Sequence, residues 1–531
     1  MAIAQLLLAA RGLSGEKDPH NIVTGDLNVA NNADFSASNL LQKEGGSVKI
    51  NSTPISGAPK IVCGFDWWSD PSTQTRVIST DNGKLYKDDM SGGFGTTLKT
   101  GLTNTSGVMM TEGGAELVGR NKKLFIPNGH DPVQILSGNG ATTSDISKPP
   151  ADWAGVNQPT FLFNFRGYMV GGGAANNLHA IYGSTATDHE DFQAASAWAI
   201  PVYPAMGQKV VSGIDAFGRG YLFKYPRGVF WIDETAASPS GWFCKVATSA
   251  YGIANSPNAV VAGGEDKIFF VGPDGSINMM YQTAGSLSGV EFIDLTKLLN
   301  LKTLMSDNFN LALLAKTYLQ WYPYRQQLIV TFAALGSTTL TRRLVLDFNL
   351  TTKQRPCISI KDTQESLWME IDSSNIRRPI IGDATGTVWK LDQLARNIGG
   401  VAYPLDVTTT PTDLSDETPS LASASGTGGF QVKKLFYRLH MEYEVTGNFD
   451  VSVGIYIDGV LKGTVTFNQG TSGSQLPFTL PGALGGYELR RRSRDITGEG
   501  YYISLRVLET SLNNPKIARM WVEFDPLVMG R

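Results

Sequence analysis

Residues 268–280 read IFFVGPDGSINMM: an apolar stretch, a turn that contains Gly275, and a second apolar stretch. This pattern is typical of a β-hairpin, because glycine adopts the positive φ angles that tight turns require. Four more segments repeat it, with turn glycines at Gly83, Gly129, Gly228 and Gly386. They are residues 77–87 (VISTDNGKLYK), 124–136 (LFIPNGHDPVQIL), 221–233 (YLFKYPRGVFWID) and 380–391 (IIGDATGTVWKL).

The spacing of these hairpins predicts the fold. Gly129 follows Gly83 by 46 residues, and Gly275 follows Gly228 by 47. A period near this length with one hairpin per repeat predicts a β-propeller with one four-stranded blade per repeat. Two less regular hairpins, in residues 161–184 and 328–350, fill the gaps, so we expect six or seven blades within residues 59–399. Leucines at helical spacing in residues 295–315 predict a short helix or loop between blades.

The composition and residue pattern of the chain are different on either side of this region. Residues 1–58 are interrupted by turn residues and predict an N-terminal arm, in which residues 47–51 form a strand that closes the ring. Residues 408–429 are rich in Thr, Ser, Pro, Asp and Gly, which predicts a linker or exposed loop. Strand-like stretches then follow around an Asp-Gly turn. Residues 400–531 therefore predict a linker and a C-terminal β-sandwich of jelly-roll type, and the fold class is all-β.

Composition sets broad limits on function. The 531 residues carry a formal net charge of −3, without the basic balance of free nucleic-acid binders. Cys63, Cys244 and Cys357 are scattered, which argues against a zinc ribbon or a disulfide framework and fits a reducing compartment. The short apolar run near the N-terminus predicts neither a secretory signal nor a membrane span. We expect a soluble protein that is made in the cytoplasm.

The densest group of potential metal ligands is Asp188, His189, Glu190 and Asp191. Consecutive residues of an extended chain point to opposite faces, so these four cannot all reach one metal ion. We therefore interpret the group as a polar turn. The sequence also contains no nucleophile elbow with a plausible histidine partner and no P-loop. It predicts no catalytic residue, no metal site and no cofactor, and hence a protein that is not an enzyme.

Arg490, Arg491, Arg492 and Arg494 form the densest basic cluster. Arginines at this density bind phosphates or the carboxylates of a partner protein. Charged residues also occur on solvated strand edges, where they prevent sheets from joining edge to edge. We take the four arginines as candidate contacts with another subunit or a partner, and the strand edge stays the alternative.

The order of these segments resembles the propeller-bearing tail proteins of short-tailed phages, called tail nozzle, tail hub or DNA-stabilisation proteins. The likeness rests on residues 83–86 (GKLY), 181–192 (IYGSTATDHEDF) and 269–276 (FFVGPDGS), and on residues 13–21, 39–41, 45–46, 116–128, 221–232, 252–256 and 434–459. It implies a structural protein of the virion tail that forms a cyclic homo-oligomer, commonly a hexamer, below the portal and adaptor rings. Such a ring would extend the DNA channel, retain the packaged genome until ejection, and carry tail fibres or a needle.

Two other functions stay open. A propeller glycan hydrolase, or a carbohydrate-binding protein with an accessory sandwich domain, would place paired carboxylates around a central channel. Here Asp81, Asp131 and Asp274 lie in predicted turns, where such side chains cap the backbone, and this favours the structural role. The third possibility is a monomeric interaction scaffold.

Overall fold

The computed structural model describes residues 2–8, 13–14, 26–35, 40–70, 72–104, 108–113, 122–206, 208–264, 266–283, 289–349, 356–363, 365–372, 374, 376–414, 432–470 and 489–527. The chain forms two compact units. The propeller unit comprises Val48–Arg343 and Thr363–Leu391, and the two-sheet unit comprises Met1–Ser47, Leu344–Asp362 and Asp392–Arg531. The predicted domain boundaries, near residues 58 and 399, differ because the two-sheet unit draws on three separate segments of the chain.

Seven sets of antiparallel strands follow one another along the chain in the described residues of the propeller unit, and three of their strands extend past its bounds. Their strands are Ile61–Asp70, Thr73–Thr80, Lys84–Asp88 and Thr96–Lys99 (sheet 1); Thr111–Gly113, Lys123–Ile126, Gln134–Ser137 and Ser144–Asp145 (sheet 2); Phe161–Phe165, Tyr168–Gly172, Ala180–Gly183 and Trp198–Pro201 (sheet 3); Lys209–Ala216, Arg219–Tyr225, Val229–Asp233 and Phe243–Thr248 (sheet 4); Val260–Ala262, Lys267–Val271, Ile277–Gln282 and Val290–Asp294 (sheet 5); Leu319–Tyr322, Gln327–Ala333 and Leu340–Asp347 (sheet 6); and Ser366–Ile371, Arg377–Gly382, Val388–Gln393 and Gly46–Lys49 (sheet 7).

Neighbouring sheets pack face to face, and the last sheet packs against the first. Sheets 1 and 7 share a core that includes Ile61, Ile78, Trp368 and Ile380. Similar apolar cores lie between sheets 1 and 2, between sheets 2 and 3, and between sheets 3 and 4. The first strands of all seven sheets line one cavity. Sheets arranged in a closed ring around a central cavity form a β-propeller, as the repeated hairpin predicts.

The five hairpins predicted from the sequence are confirmed as the second and third strands of sheets 1, 2, 4, 5 and 7. Their turn glycines have positive φ angles, for example 74° at Gly83 and 107° at Gly228. The predicted interruption holds the helices Leu295–Leu298 and Lys302–Asn308 and the 3-10 helix Leu311–Lys316 between sheets 5 and 6. A further 3-10 helix, Pro239–Gly241, precedes the last strand of sheet 4.

The ring is closed by a strand from the N-terminal part of the chain, as predicted. Gly46–Lys49 lies beside Val388–Gln393 in sheet 7, and the Ile50 N–H donates to the Val388 carbonyl at 2.8 Å. The Asn51 side chain continues this contact: its oxygen accepts from the Val388 N–H at 2.6 Å and its nitrogen donates to the Gly386 carbonyl at 2.9 Å. Residues far apart in sequence thus hold the first and last parts of the propeller together.

A buried ion cluster makes a second connection between the last sheet and the first. The Arg76 guanidinium, 1% exposed, donates to both carboxylate oxygens of Asp66 and to Glu370 at 3.1 Å, and it lies 3.8 Å from Asp88. The Trp368 indole N–H donates to Asp66 at 2.9 Å. Burial raises the pKa of Asp66, and Arg76 opposes this shift. Because Glu370 and Trp368 belong to sheet 7 and the others to sheet 1, the cluster connects the two ends of the ring.

The two-sheet unit consists of strands from all three of its segments. Its described strands are Ala2–Leu8, Ala33–Phe35, Leu41–Lys43, Lys434–Glu444, Leu489–Gly500 and Lys516–Pro526 (sheet 8); Leu27–Asn31, Cys357–Asp362, Leu405–Thr409, Asp450–Ile457, Val460–Asn468 and Ile503–Glu509 (sheet 9); and the small hairpin Asn397–Ile398 and Val401–Ala402. The buried faces of the two sheets meet. For example, a side chain at Gly498 of sheet 8 would lie only 2.3 Å from Ile457 of sheet 9.

Two sequence interpretations need correction here. Residues 1–58 are not an irregular arm, since Ala2–Leu8, Leu27–Asn31 and Leu41–Lys43 are strands that pair with segments hundreds of residues later. The start of the predicted linker belongs to the strand Leu405–Thr409, whereas residues 415–431 lie outside the described part of the chain. Among the described residues, no helix has the length and hydropathy to cross a membrane.

Replacing Arg76 with Met should reduce the free energy of unfolding of the propeller unit by about 3–5 kcal/mol, because buried Asp66 and Asp88 would lose their counter-charge and Glu370 would keep only Lys390. Urea unfolding followed by tryptophan fluorescence measures this, since nine of the ten tryptophans lie in the propeller unit. The same substitution at the exposed Arg227 is the control and should change stability by less than about 0.5 kcal/mol. Equal effects of the two substitutions would contradict a closing role for Arg76.

Candidate functional site

The central cavity of the propeller unit has a volume of about 490 Å³. Every one of the seven first strands contributes to its wall. This size lies within the range of ~300–1,000 Å³ that is usual for small-molecule sites. The cavity is therefore the candidate functional site.

One mouth of the cavity carries its polar side chains. Four antiparallel strands return the chain to the end of the cavity where their sheet began, and Cys357–Asp362, which lies next to Leu340–Asp347, completes this return after sheet 6. The first strands therefore all run in the same direction. Asn164, Asp215 and Trp321 are each the last but one residue of a first strand, and all three line the cavity. Arg377 lies opposite Ile371, the last residue of the first strand of sheet 7. These four side chains consequently surround the same mouth.

The mouth contains one carboxylate, one guanidinium and two amide groups. Gln320 precedes Trp321 in the first strand of sheet 6 and also lines the cavity. Asn164, Asp215, Gln320 and Arg377 make no hydrogen bond or ion pair with another side chain in the part of the chain that the structure describes. Burial raises the pKa of Asp215; nearby Arg166 opposes this shift and Glu234 adds to it, and the residue is exposed to solvent. The polar groups of the mouth are thus available to a solute.

In the interior of the cavity, the polar groups are buried or bound to other groups of the chain. The other lining carboxylate, Asp66, is buried and held by Arg76 and Trp368. Near the starts of the first strands the wall is formed by buried groups such as Cys63 and Tyr318, and the Tyr318 hydroxyl donates to the Val62 carbonyl. Among the described lining residues, the charged groups without an ion-pair partner, Asp215 and Arg377, therefore lie at the mouth.

The acidic group at residues 188–191 is a turn, and its side chains reach separate partners. The His189 ring nitrogen Nε2 lies 2.9 Å from the Gly167 carbonyl, and Asp188 accepts from the Glu190 N–H at 3.0 Å. Glu190 pairs with Lys123 and Asp191 with Lys148, each at 2.6 Å. The structure therefore does not bring the four residues together around one point.

In the basic cluster, Arg491, Arg492 and Arg494 contact identified groups of their own chain. All four lie on Leu489–Gly500, the edge strand of sheet 8. Arg492 donates to the Tyr443 hydroxyl at 2.8 Å and to the Gly470 carbonyl at 3.1 Å. Arg494 donates to the Thr466 carbonyl at 2.8 Å. These two guanidinium groups connect the edge strand of sheet 8 to the edge strand of sheet 9.

Arg491 points to the other face of sheet 8. Its guanidinium lies 4.5 Å from the centre of the Trp521 ring and 3.2 Å from His440 Nδ1. His440 stacks on the same indole, with ring centres 5.2 Å apart, and its Nε2 lies 2.8 Å from Glu523. Cation–π and hydrogen-bond contacts thus fix this side chain on the sheet face.

Sequence reasoning missed the residues of the cavity mouth. Arg377 belongs to a visible basic pair, Arg377–Arg378, but nothing in the sequence places it near Asp215 or Asn164. The sequence did contain one signal for these residues, which is their position. Each residue lies at or just after the end of a first strand, and in a propeller these ends lie close together.

Comparisons with known proteins give no family. No family model and no curated protein matches the chain. Two solved structures similar to it are the computationally designed Ika8 protein and YCF48 from Cyanidioschyzon merolae. The first is 10% identical, with a TM-score of 0.36, over 66% of this chain and 99% of that chain. The second is 11% identical, with a TM-score of 0.38, over 65% of this chain and 98% of that chain.

A buried lysine stands out among the titratable groups away from the cavity. The Lys224 ammonium is inaccessible to solvent and donates to the carbonyls of Val202 and Tyr203 at 3.0 and 2.9 Å. It also lies 3.1 Å from His179 Nδ1. Burial lowers the pKa of Lys224 to about 8. Burial, followed by the charge of Lys224, lowers the pKa of His179, so the imidazole is neutral beside the lysine.

This arrangement predicts a pH dependence of stability. Between pH 8 and pH 10.5 the unfolded chain keeps the proton on Lys224 while the folded chain loses it, so raising the pH favours the folded state. The free energy of unfolding of the wild type, relative to that of a Lys224→Met variant, should therefore rise across this range by up to ~3 kcal/mol. Urea unfolding at about pH 8, 9 and 10.5 would measure it. A constant difference between the two proteins would contradict the lowered pKa.

Proposed function

We propose that this chain is a structural subunit of the tail of a short-tailed phage. In this proposal the seven sheets are seven blades, and the two-sheet unit is a β-sandwich of jelly-roll type. Copies of the chain form a ring, commonly a hexamer, below the portal and adaptor proteins in the virion. The ring extends the DNA channel, retains the genome, and supports tail fibres or a needle.

The observation that carries this proposal is an open strand edge on the two-sheet unit. Val460–Asn468 is the last strand of sheet 9, and no other described strand pairs with its outer edge. Val460 is 56% exposed and Leu461 is 51% exposed, and Lys462 is the strand's one charged residue. Soluble proteins usually protect such edges with charges, bulges or a covering segment, because an open edge pairs with other chains. This edge therefore suits a contact with another subunit.

A second open edge lies on the opposite side of the same unit. Ala2–Leu8 pairs with Lys516–Pro526, and no other described strand flanks it. It contains no charged residue, and Ile3 is 56% exposed. In sheet 8 this strand and Leu489–Gly500 lie on opposite sides, and Leu489–Gly500 is adjacent to Val460–Asn468 through Arg494. Two different edges on opposite sides of one unit suit head-to-tail contacts, which close into a ring when the rotation allows it.

The arginine cluster fits the same interface. Arg492 and Arg494 lie beside the open edge of sheet 9, so an incoming subunit at that edge would meet them, whereas Arg491 is held on the other face of sheet 8. The alternative, a propeller glycan hydrolase, has less support in the cavity. Its lining has two carboxylates, and one of them, Asp66, is already bound to Arg76 and Trp368.

A Leu461→Lys substitution tests the proposal. A charge at the open edge should prevent strand pairing, so mass photometry should detect rings for the wild type and 57.3 kDa monomers for the variant. Leu394→Lys is the matched control, because Leu394 is 97% exposed and lies outside both edges. It should leave the rings intact. A wild-type protein that stays monomeric, or rings that persist in Leu461→Lys, would overturn the assignment of this interface.

A further inference from the structure

We propose that the polar mouth of the propeller cavity binds a carbohydrate that carries a carboxylate. The mouth is the group formed by Asn164, Asp215, Gln320, Trp321 and Arg377. This inference rests on the cavity alone and does not depend on the assembly of the chain into a ring.

Arg377 is the group that selects for an acid. Its side chain is exposed at the mouth and has no acidic partner among the described residues. A guanidinium matches the geometry of a carboxylate and can donate two parallel hydrogen bonds to it. The strand that ends beside Arg377 is held in place, because the Ile371 carbonyl accepts from Trp68 at 3.1 Å and from Gln74 at 2.6 Å. The paired strand end thus places the backbone of Arg377 at the mouth.

The other polar groups suit hydroxyls. The amides of Asn164 and Gln320 each offer a donor and an acceptor, and the carboxylate of Asp215 offers acceptors. Neighbouring hydroxyls of a sugar ring both donate and accept, so a mixed set of amides and one carboxylate can satisfy them. A lipid chain or a purely apolar ligand would leave these groups unpaired, which carries a free-energy cost.

Trp321 provides a surface for the sugar ring. Its indole is half-buried in the cavity wall, and one side stacks on Phe269 with ring centres 5.5 Å apart. This stacking fixes the indole plane. A fixed aromatic plane beside hydroxyl-binding groups suits a ring that has one apolar C–H face and a polar rim. The class of ligand that uses all the groups of the mouth is therefore a sugar acid, alone or at the end of a glycan.

The test compares two sugars that differ only in the carboxylate. Methyl β-D-glucuronide and methyl β-D-glucoside are titrated against the full-length protein, with binding followed by saturation-transfer NMR. The glucuronide should bind at least about tenfold more tightly, because one hydrogen-bonded charge is worth this much. Arg377→Gln should remove the difference, whereas Arg227→Gln, which changes an exposed arginine outside the cavity, should keep it.

Asp215→Asn provides an independent variant. It should weaken the binding of both sugars by a similar factor, since Asp215 is assigned to hydroxyls and not to the carboxylate. Unchanged tryptophan fluorescence and an unchanged unfolding midpoint would show that each variant is folded. Equal binding of the two sugars by the wild type, no binding of the glucuronide up to about 10 mM, or an undiminished preference in Arg377→Gln would overturn the proposal.

Discussion

Closure of the propeller ring is the constraint on which the site depends. Sheets that follow one another along a chain do not by themselves bring the last sheet against the first, so specific groups must make that contact. Here the buried Arg76 brings Asp66 and Asp88 of sheet 1 together with Glu370 of sheet 7. The Trp368 indole adds a hydrogen bond to the same Asp66. Buried charges of this kind are stable only when all of them are paired, so the cluster specifies one closed arrangement.

Closure of the ring also determines which polar groups of the cavity remain available to bind a ligand. The cluster binds Asp66, which would otherwise be a free carboxylate in the wall of the cavity. The free polar groups are then those at the ends of the first strands, which come from sheets 3, 4, 6 and 7. Asp215 and Arg377 are 162 positions apart in the sequence and face the same mouth only because the ring is closed. The proposed sugar-acid site is thus a consequence of the fold and not of a local motif.

Whether a feature could be predicted from the sequence depends on whether neighbouring or distant residues determine it. The hairpins with Gly83 and Gly275 could be predicted because a turn glycine between apolar stretches determines the structure of about a dozen residues. The closing strand Gly46–Lys49 could also be predicted, since a propeller needs one. The strands Ala2–Leu8 and Leu27–Asn31 were missed because they pair with residues hundreds of positions away. Likewise, Leu489–Gly500 carries charges where an isolated strand would carry apolar residues, and its partners, not its sequence pattern, make it a strand.

The central claim is that copies of this chain build a closed ring, and cryo-electron microscopy of the purified full-length protein tests it most directly. We predict cyclic particles in which neighbouring copies meet through the open edges Val460–Asn468 and Ala2–Leu8. Particles that contain a single copy, or rings joined through other surfaces with both edges exposed to solvent, would contradict the account.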